Sequence, residues 1–172
     1  SEAGIKIKNA DEVIFFLTAA TNYKLEYPTY TGADPMTTSL EQLVKASAQN
    51  YDQLLKKHIS DHRSLFDKAS LNISGITEDT IPTDRRLANQ KKAPDDLHLQ
   101  ELYFQFGRYL LIASSRKGTL PANLQGLWAN TIQTPWNGDY HTDINIQMNY
   151  WPADIPNLSE CHGPLTDLIE SL

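Results

Sequence analysis

The chain has 172 residues, enough to bury a sizeable core in one or two small domains. Its formal charge is -6, from 15 basic and 21 acidic residues, with no long basic run. Nucleic acid and anionic membrane surfaces are therefore excluded as main partners. No 18-residue apolar span is present, so no membrane insertion is expected. The single cysteine, Cys161, rules out an intrachain disulfide framework. It lies on the apolar side of a helical pattern and is expected to be a buried thiol.

The N-terminal residues SEAGIKIKNADEV contain no basic leader followed by an apolar segment, so no signal peptide is visible. Ile5 and Ile7 alternate with Lys6 and Lys8, and Val13 to Leu17 is a short apolar run. Around the turn Asn9-Ala10-Asp11 these segments predict a β-hairpin that needs further strands to be stable. Residues 19–36 read as an irregular connector packed through Tyr23, Tyr27 and Tyr30. The other end, LTDLIESL, stops inside a helical pattern with no Gly or Pro to close it. Both ends lead us to expect a piece of a longer protein.

Asp34-Pro35 marks a helix entry. Leu40, Leu43, Val44, Tyr51, Leu54, Leu55, Ile59, Leu65 and Phe66 then recur at helical spacing, with charged residues on much of the other side. This predicts one long amphipathic helix, or two joined near 49–51, ending around Ala69. His58 and His62 are four apart, a metal-ligand spacing, but no third ligand is apparent and no metal is expected. Residues 71–76 suggest a short strand. Residues 77–94 read as a loop in which Pro82-Thr83-Asp84 caps a single turn. From Asp95 a strongly apolar helix is predicted, buried on most sides, its face formed by Leu97, Leu102, Phe106, Tyr109, Leu110 and Ala113 and widened by Tyr103, Phe104 and Ile112. A short helix starting near Asn145 should halt at Trp151-Pro152. Another follows Pro156 and restarts or kinks at Pro164.

The stretch from Gly118 to Trp151 differs from the rest. It holds all three tryptophans, and residues 118–138 include no Lys, Arg, Asp or Glu. Asn123, Gln125, Asn130, Gln133 and Asn137 stand around Trp128 and Trp136, and Asp139, His141, Asp143, Asn145, Gln147 and Asn149 follow closely. Apolar ring faces beside amides suit a neutral, hydroxyl-rich ligand. The competing account is an ordered loop whose amides satisfy buried backbone. If residues 141–145 are extended, His141, Asp143 and Asn145 share one side. Asp143 could then polarise a water that Asn145 orients. Equally, Asp143 could cap the helix and Asn145 tie down the loop; pattern alone does not choose. An inverting glycosidase needs a second carboxyl group about 6.5–9.5 Å away. Asp139, Asp154, Glu160 and Asp167 offer no clear candidate.

The runs FGRYLLIASSRKGTLPANLQGLWA (106–129) and YHTDINIQMNYWPAD (140–154) closely resemble the α-L-fucosidases of glycoside hydrolase family 95. YDQLLKKHISDHRSLFDKASLNI (51–73) is similar to that family's helical linker. The resemblance implies a mainly α chain: a partial (α/α)6 toroid preceded by a helical linker and a remnant of a β-sandwich domain. Residues 1–33 would be the last strands of the β domain, 34–92 the helical linker and connector, and 93–172 the first part of the catalytic barrel. It further implies an inverting exo-hydrolase releasing terminal α-1,2-linked L-fucose, without a cofactor. The glycan and the remainder of the parent protein would be its partners, at the periplasm, cell surface or outside the cell.

By the same resemblance the general acid and a remote water-activating carboxylate lie beyond Leu172, so this chain alone is expected to be inactive. The family holds its water with an Asn-x-Asn pair. Asn145 matches the second position, while Asp143 places a carboxylate where the first amide is expected. His141 matches the position facing the C6 methyl of fucose, where Thr would go with L-galactose. Trp136, Asn123, Gln125 and Trp151 are implied pocket-wall residues. An α-L-galactosidase on the same scaffold and a non-catalytic helical carbohydrate-binding module are the alternatives.

Overall fold

The structure, a computed structural model, describes residues 4–75, 80–92 and 95–172. Among the described residues six α-helices form: α1 (Pro35–Ser47), α2 (Tyr51–Phe66), α3 (Thr83–Asn89), α4 (Leu97–Ser114), α5 (Asn145–Tyr150) and α6 (Gly163–Glu170). Two short 3-10 turns, Pro135–Gly138 and Ser159–Cys161, lie between them. The chain divides into two compact units, Ser1–His58 and Ile59–Leu172.

In the first unit the predicted hairpin is absent: no strand ladder forms among the described residues. Ile5, Ile7, Phe15 and Leu17 are exposed. Alternation gives a segment a strand-like pattern, but a strand needs a neighbouring edge to bond, and none is paired with it here. The tyrosine connector instead packs on itself. An isolated antiparallel bridge joins Tyr23 and Thr31, the Tyr23 and Tyr30 rings stack at 6.4 Å, and Tyr27 meets Tyr30 edge-on. Asp34 begins α1 by accepting bonds from the Thr37 N–H and hydroxyl, each 2.7 Å, with Pro35 in the first turn. The helical run is two helices, not one. It breaks at 48–50, where the Asn50 side chain accepts from the Asp52 N–H at 2.8 Å and starts α2.

The second unit has its core among Leu65, Leu111, Ile112, Ala122, Ile146, Tyr150, Ala153, Leu158, Cys161, Leu165 and Leu168. Cys161 is buried, and burial pushes its thiol pKa up. Pro164 sits in the first turn of α6, so the helix restarts there; a proline is tolerated where the N–H would lack a partner anyway. Residues 71–75 form no strand, and Ile76 lies outside the described residues. Within the expected 77–94 loop, α3 runs for seven residues from Thr83, after Pro82, longer than the single turn predicted; 77–79, 93 and 94 are not described.

α4 is long as predicted, but of its predicted face, widened to Ile112, only Ile112 is buried. Leu97, Leu102, Phe106 and Tyr109 are exposed, whereas Leu99, Glu101, Arg108, Leu111, Ile112 and Ser114 are buried. A helix apolar on most sides cannot select its inner face by apolar pattern, and here two charged side chains mark it. Arg108, 1% exposed, donates from Nη1 to the Phe66 and Ala69 carbonyls at 2.7 Å and from Nη2 to Leu65 O at 3.1 Å. It thereby satisfies carbonyls at the end of α2 that no helical N–H can reach. Its guanidinium also lies 5.0 Å from the Phe66 ring centroid. Glu101 accepts from the Ser74 N–H (2.7 Å), the Ser74 hydroxyl (2.9 Å) and the Ile73 N–H, and meets His98 Nδ1 at 3.1 Å. At the head of α4, Asp96 caps the Leu99 N–H at 3.0 Å and pairs with Arg86 of α3 at 2.5 Å.

One buried relay joins the end of α4 to α5 and the next loop. Ser115 Oγ donates to Cys161 O at 2.7 Å, so the Tyr150 hydroxyl, 2.8 Å away, donates to Ser115. The Tyr150 oxygen then accepts from the Ala122 N–H at 2.7 Å. Every donor in this cluster has a taker.

Two outcomes follow. Tyr150→Phe keeps the ring but leaves the Ala122 N–H and a Ser115 lone pair unpaired in the core, so a loss of about 1–3 kcal/mol is expected in chemical denaturation. The backbone bonds of Ser74 and Ile73 hold the Glu101 carboxyl down to about 2 from 4.5. A depressed folded pKa contributes stability above the unfolded value, which is lost as pH falls from about 4.5 toward 2. Glu101→Gln should therefore flatten the acid limb of the stability profile, measured as denaturation midpoint against pH.

Candidate functional site

The polar loop is pinned to the helical core at several points. Besides Ala122 on Tyr150, the Tyr140 hydroxyl donates to Pro121 O at 2.9 Å. Asn149 Nδ2 donates to Asn123 O at 3.0 Å, and Leu124 N donates to Asp139 O at 3.2 Å. Asn123 also closes its own turn, its Oδ1 accepting from the Gln125 N–H at 2.8 Å and its carbonyl from the Gly126 N–H at 2.9 Å. Gly126 has φ +71°, and a Cβ there would come within 3.1 Å of the Trp128 ring. Only glycine allows the chain to turn so close under that indole.

Between α4 and this loop lies a cleft of ≈ 330 Å³, lined by Leu110, Leu111, Gln125, Trp128, Asn149 and Pro152 among others. Gln125 was expected on a pocket wall. Trp128 and Asn149 were not chosen from sequence, although both stand in the amide-and-tryptophan stretch. For Asn149 the signal was helical phase: it is one turn beyond Asn145 on α5 and faces back to the loop through Asn123.

The other sequence candidates stand outside that cleft lining. Trp136, 70% exposed, sits on the Pro135–Gly138 turn, where three successive residues are left-handed: Trp136 at φ 49°, Asn137 at 57° and Gly138 at 61°. For an L-residue with a bulky side chain this conformation costs on the order of 1–2 kcal/mol. At Gly138 a Cβ would lie 3.2 Å from Thr134 Oγ1, so that side chain would have to give by a few tenths of an ångström. Trp151 is exposed and follows α5 directly.

His141, Asp143 and Asn145 occupy one turn of chain and not an extended strand. Residues 142–144 turn, and the Ile146 N–H donates back to His141 O at 3.0 Å, leading into α5 at Asn145. Asp143 does not cap α5: the residue before the helix is Ile144, and no side chain bonds the first-turn N–H groups. The Asp143 carboxylate is exposed, and Asn145 and His141 are half-buried. His141 Nε2 lies 2.5 Å from Asp139 Oδ1. The turn thus presents a carboxylate, an amide and a carboxylate-paired imidazole within five residues, a set able to hold water and sugar hydroxyls.

His62, half of the spaced pair on α2, packs its ring on Phe66 at 5.0 Å and on Tyr109 at 6.0 Å. Among the described residues no group of three or more His, Cys, Asp or Glu side chains could hold a metal ion. Nor is any helix there long and apolar enough to cross a membrane.

Comparison with known proteins agrees with the sequence resemblance. The chain is 37% identical over 174 residues to "Alpha-L-fucosidase 2" of Arabidopsis thaliana, covering 98% of this chain and 21% of that protein. It is 33% identical over 172 residues to "Probable alpha-fucosidase A" of Aspergillus niger (strain ATCC MYA-4892 / CBS 513.88 / FGSC A1513), covering 96% and 22%. A protein of the same name from Aspergillus oryzae (strain ATCC 42149 / RIB 40) is 37% identical over 147 residues, covering 83% and 20%. The chain therefore spans about a fifth of the length of these relatives. With the Glycosyl hydrolase family 95 catalytic domain profile matching residues 50–172, which include the core, the polar loop and the His141–Asn145 turn, the chain belongs to glycoside hydrolase family 95.

Proposed function

We propose that this chain is part of an α-L-fucosidase, an inverting exo-hydrolase that removes terminal α-1,2-linked L-fucose from glycans. The observation that carries the reading is the match to proteins named α-fucosidases along 98% and 96% of the chain. The turn from His141 to Asn145 supports it with groups suited to the reaction. In inversion, a water attacks the anomeric carbon from the face opposite the leaving oxygen as the glycosidic C–O bond breaks. One carboxylate takes the water's proton, and a carboxylic acid gives a proton to the departing oxygen.

Asn145, half-buried at the start of α5, orients that water through its amide. The exposed carboxylate of Asp143 accepts a hydrogen bond from the same water. It is an acceptor-only group where the family pattern has an amide, so it draws the water's proton more strongly than an amide would. His141 lies against the C6 methyl side of fucose, and Trp136 offers an apolar face for the ring's C–H groups. Asn123, Gln125 and Trp151 complete the wall. The proton donor belongs to the part of the protein outside this chain, so the 172 residues alone bind but do not turn over. Action on extracellular or periplasmic glycans, at the cell surface or in secreted form, fits this substrate.

The test is the full-length protein on fucosyl-α-1,2-galactosides, with the anomer of the released sugar read by NMR. We expect β-L-fucose as first product. Asn145→Ala should lower kcat by on the order of 10²-fold or more while circular dichroism stays unchanged. Turnover near wild type in that variant would remove Asn145 from the water site. Preferential release of L-galactose, or binding without hydrolysis, would overturn the fucosidase reading.

A further inference from the structure

The pair Asp139–His141 has a geometry beyond what the proposed reaction requires of His141 alone. An ionised carboxylate can only accept hydrogen bonds, so with Nε2 2.5 Å from Asp139 Oδ1 the proton of the neutral ring must sit on Nε2. Nδ1 then carries the lone pair and is the ring atom left to meet another molecule. The backbone holds both members in place. Asp139 donates its N–H to Trp136 O at 3.3 Å and accepts at its carbonyl from Leu124 N at 3.2 Å; His141 is held at its carbonyl by the Ile146 N–H at 3.0 Å.

Tyr140, between them, reaches the other way to bond Pro121 O. Asp139 is extended, with φ -81° and ψ 179°, so residues 139 and 141 fall on the same side while 140 points inward. The side chains are 57% and 32% exposed, and an ion pair so open to solvent contributes little to stability. Its consequence is orientation.

We propose that Asp139 is a positioning residue: it fixes the ring and tautomer of His141 so that Nδ1 accepts a hydrogen bond from a hydroxyl of a neutral sugar. The sugar's identity rests on the fucosidase reading; the tautomer does not. The first arm is therefore independent of activity. Ring ¹⁵N shifts of the histidine-labelled 172-residue chain are recorded at about pH 9, where imidazole is neutral. The His141 signals are assigned by their loss in His141→Gln.

In the wild type His141 should show a protonated Nε2 and an unprotonated Nδ1. Asp139→Ala should shift it toward a mixture of tautomers, and Asp139→Glu should restore it, with the thermal midpoint unchanged in both. Identical His141 signals in wild type and Asp139→Ala would overturn the inference. The second arm uses the full-length protein on the same fucoside. Asp139→Ala should raise KM by up to about tenfold, the scale of one hydrogen bond between neutral groups, with kcat nearly kept and Asp139→Glu recovering most of the loss. A tautomer shift with unchanged KM would overturn the ligand contact. If the wild type releases no fucose while the NMR result holds, the fucosidase reading falls and the positioning role stands.

Discussion

The buried relay of Ser115, Tyr150, Ala122 and Cys161 is the constraint on which the rest of the second unit depends. It lies where four separate pieces of chain meet: the end of α4, the start of the polar loop, the end of α5, and the turn before α6. Apolar contact alone would hold these pieces near one another without fixing their register, because hydrophobic attraction has little direction. A hydroxyl that must both donate and accept does fix it. Tyr150 is 3% exposed and Ser115 fully buried, so a shifted register would strand polar atoms where water cannot reach them. α5 is only six residues long and could not persist by itself. Tyr150 gives it an anchor at its C-terminal end, and the residues at its other end, Asn145 and the turn before it, inherit that position.

A second set of ties is ionic and serves the backbone more than other side chains. Arg108 closes the end of α2, Glu101 gathers the N–H groups of Ile73 and Ser74, and Asp96 begins α4 while holding Arg86. Irregular chain beside a helix carries unpaired N–H and C=O groups, and burying them unmatched is costly. A multivalent charged side chain can match several at once, in the manner of a helix cap. This explains why α4, otherwise apolar, carries charges on its buried side. Aliphatic residues at 101 and 108 would fill space but remove these partners from the Phe66 and Ala69 carbonyls and the Ile73 and Ser74 N–H groups.

Sequence patterning read the helices of this chain well, and for a physical reason. Periodicity reports local structure, as do the proline of α6 and the Asp34-Pro35 entry to α1, and those features lie within a few residues of what they control. Choices that depend on distant chain were less legible. Ile5 and Ile7 alternate like a strand, but a strand exists only with a partner. Leu97, Leu102 and Phe106 look like the buried face of α4, yet it was Arg108 and Glu101 that turned inward, toward carbonyls and amides 27 to 43 positions earlier in the chain. At the candidate site, composition identified the loop and its amides. It did not reveal that 142–144 turn: that turn is held by bonds back from α5, the Ile146 N–H to His141 O and Gln147 Nε2 to Thr142 O, which leave no mark in the apolar pattern.

That turn and the Trp136 turn before it share a property worth weighing against function. Neither is the conformation its residues would choose alone. Trp136 and Asn137 are left-handed without being glycine, and the first turn of α5 begins with no side-chain cap. Both departures cost free energy that the surrounding bonds offset: Asp139 is held to Leu124 and Trp136, Tyr140 to Pro121, and Asn149 to Asn123. A loop with a buried indole and a capped helix would carry less of that cost. This one holds an indole in solvent and leaves the Asp143 carboxylate uncommitted. Strain retained by over-determined anchoring, with polar groups left unspent, is what a preorganised binding surface requires, since a ligand then need not bear the cost of ordering it.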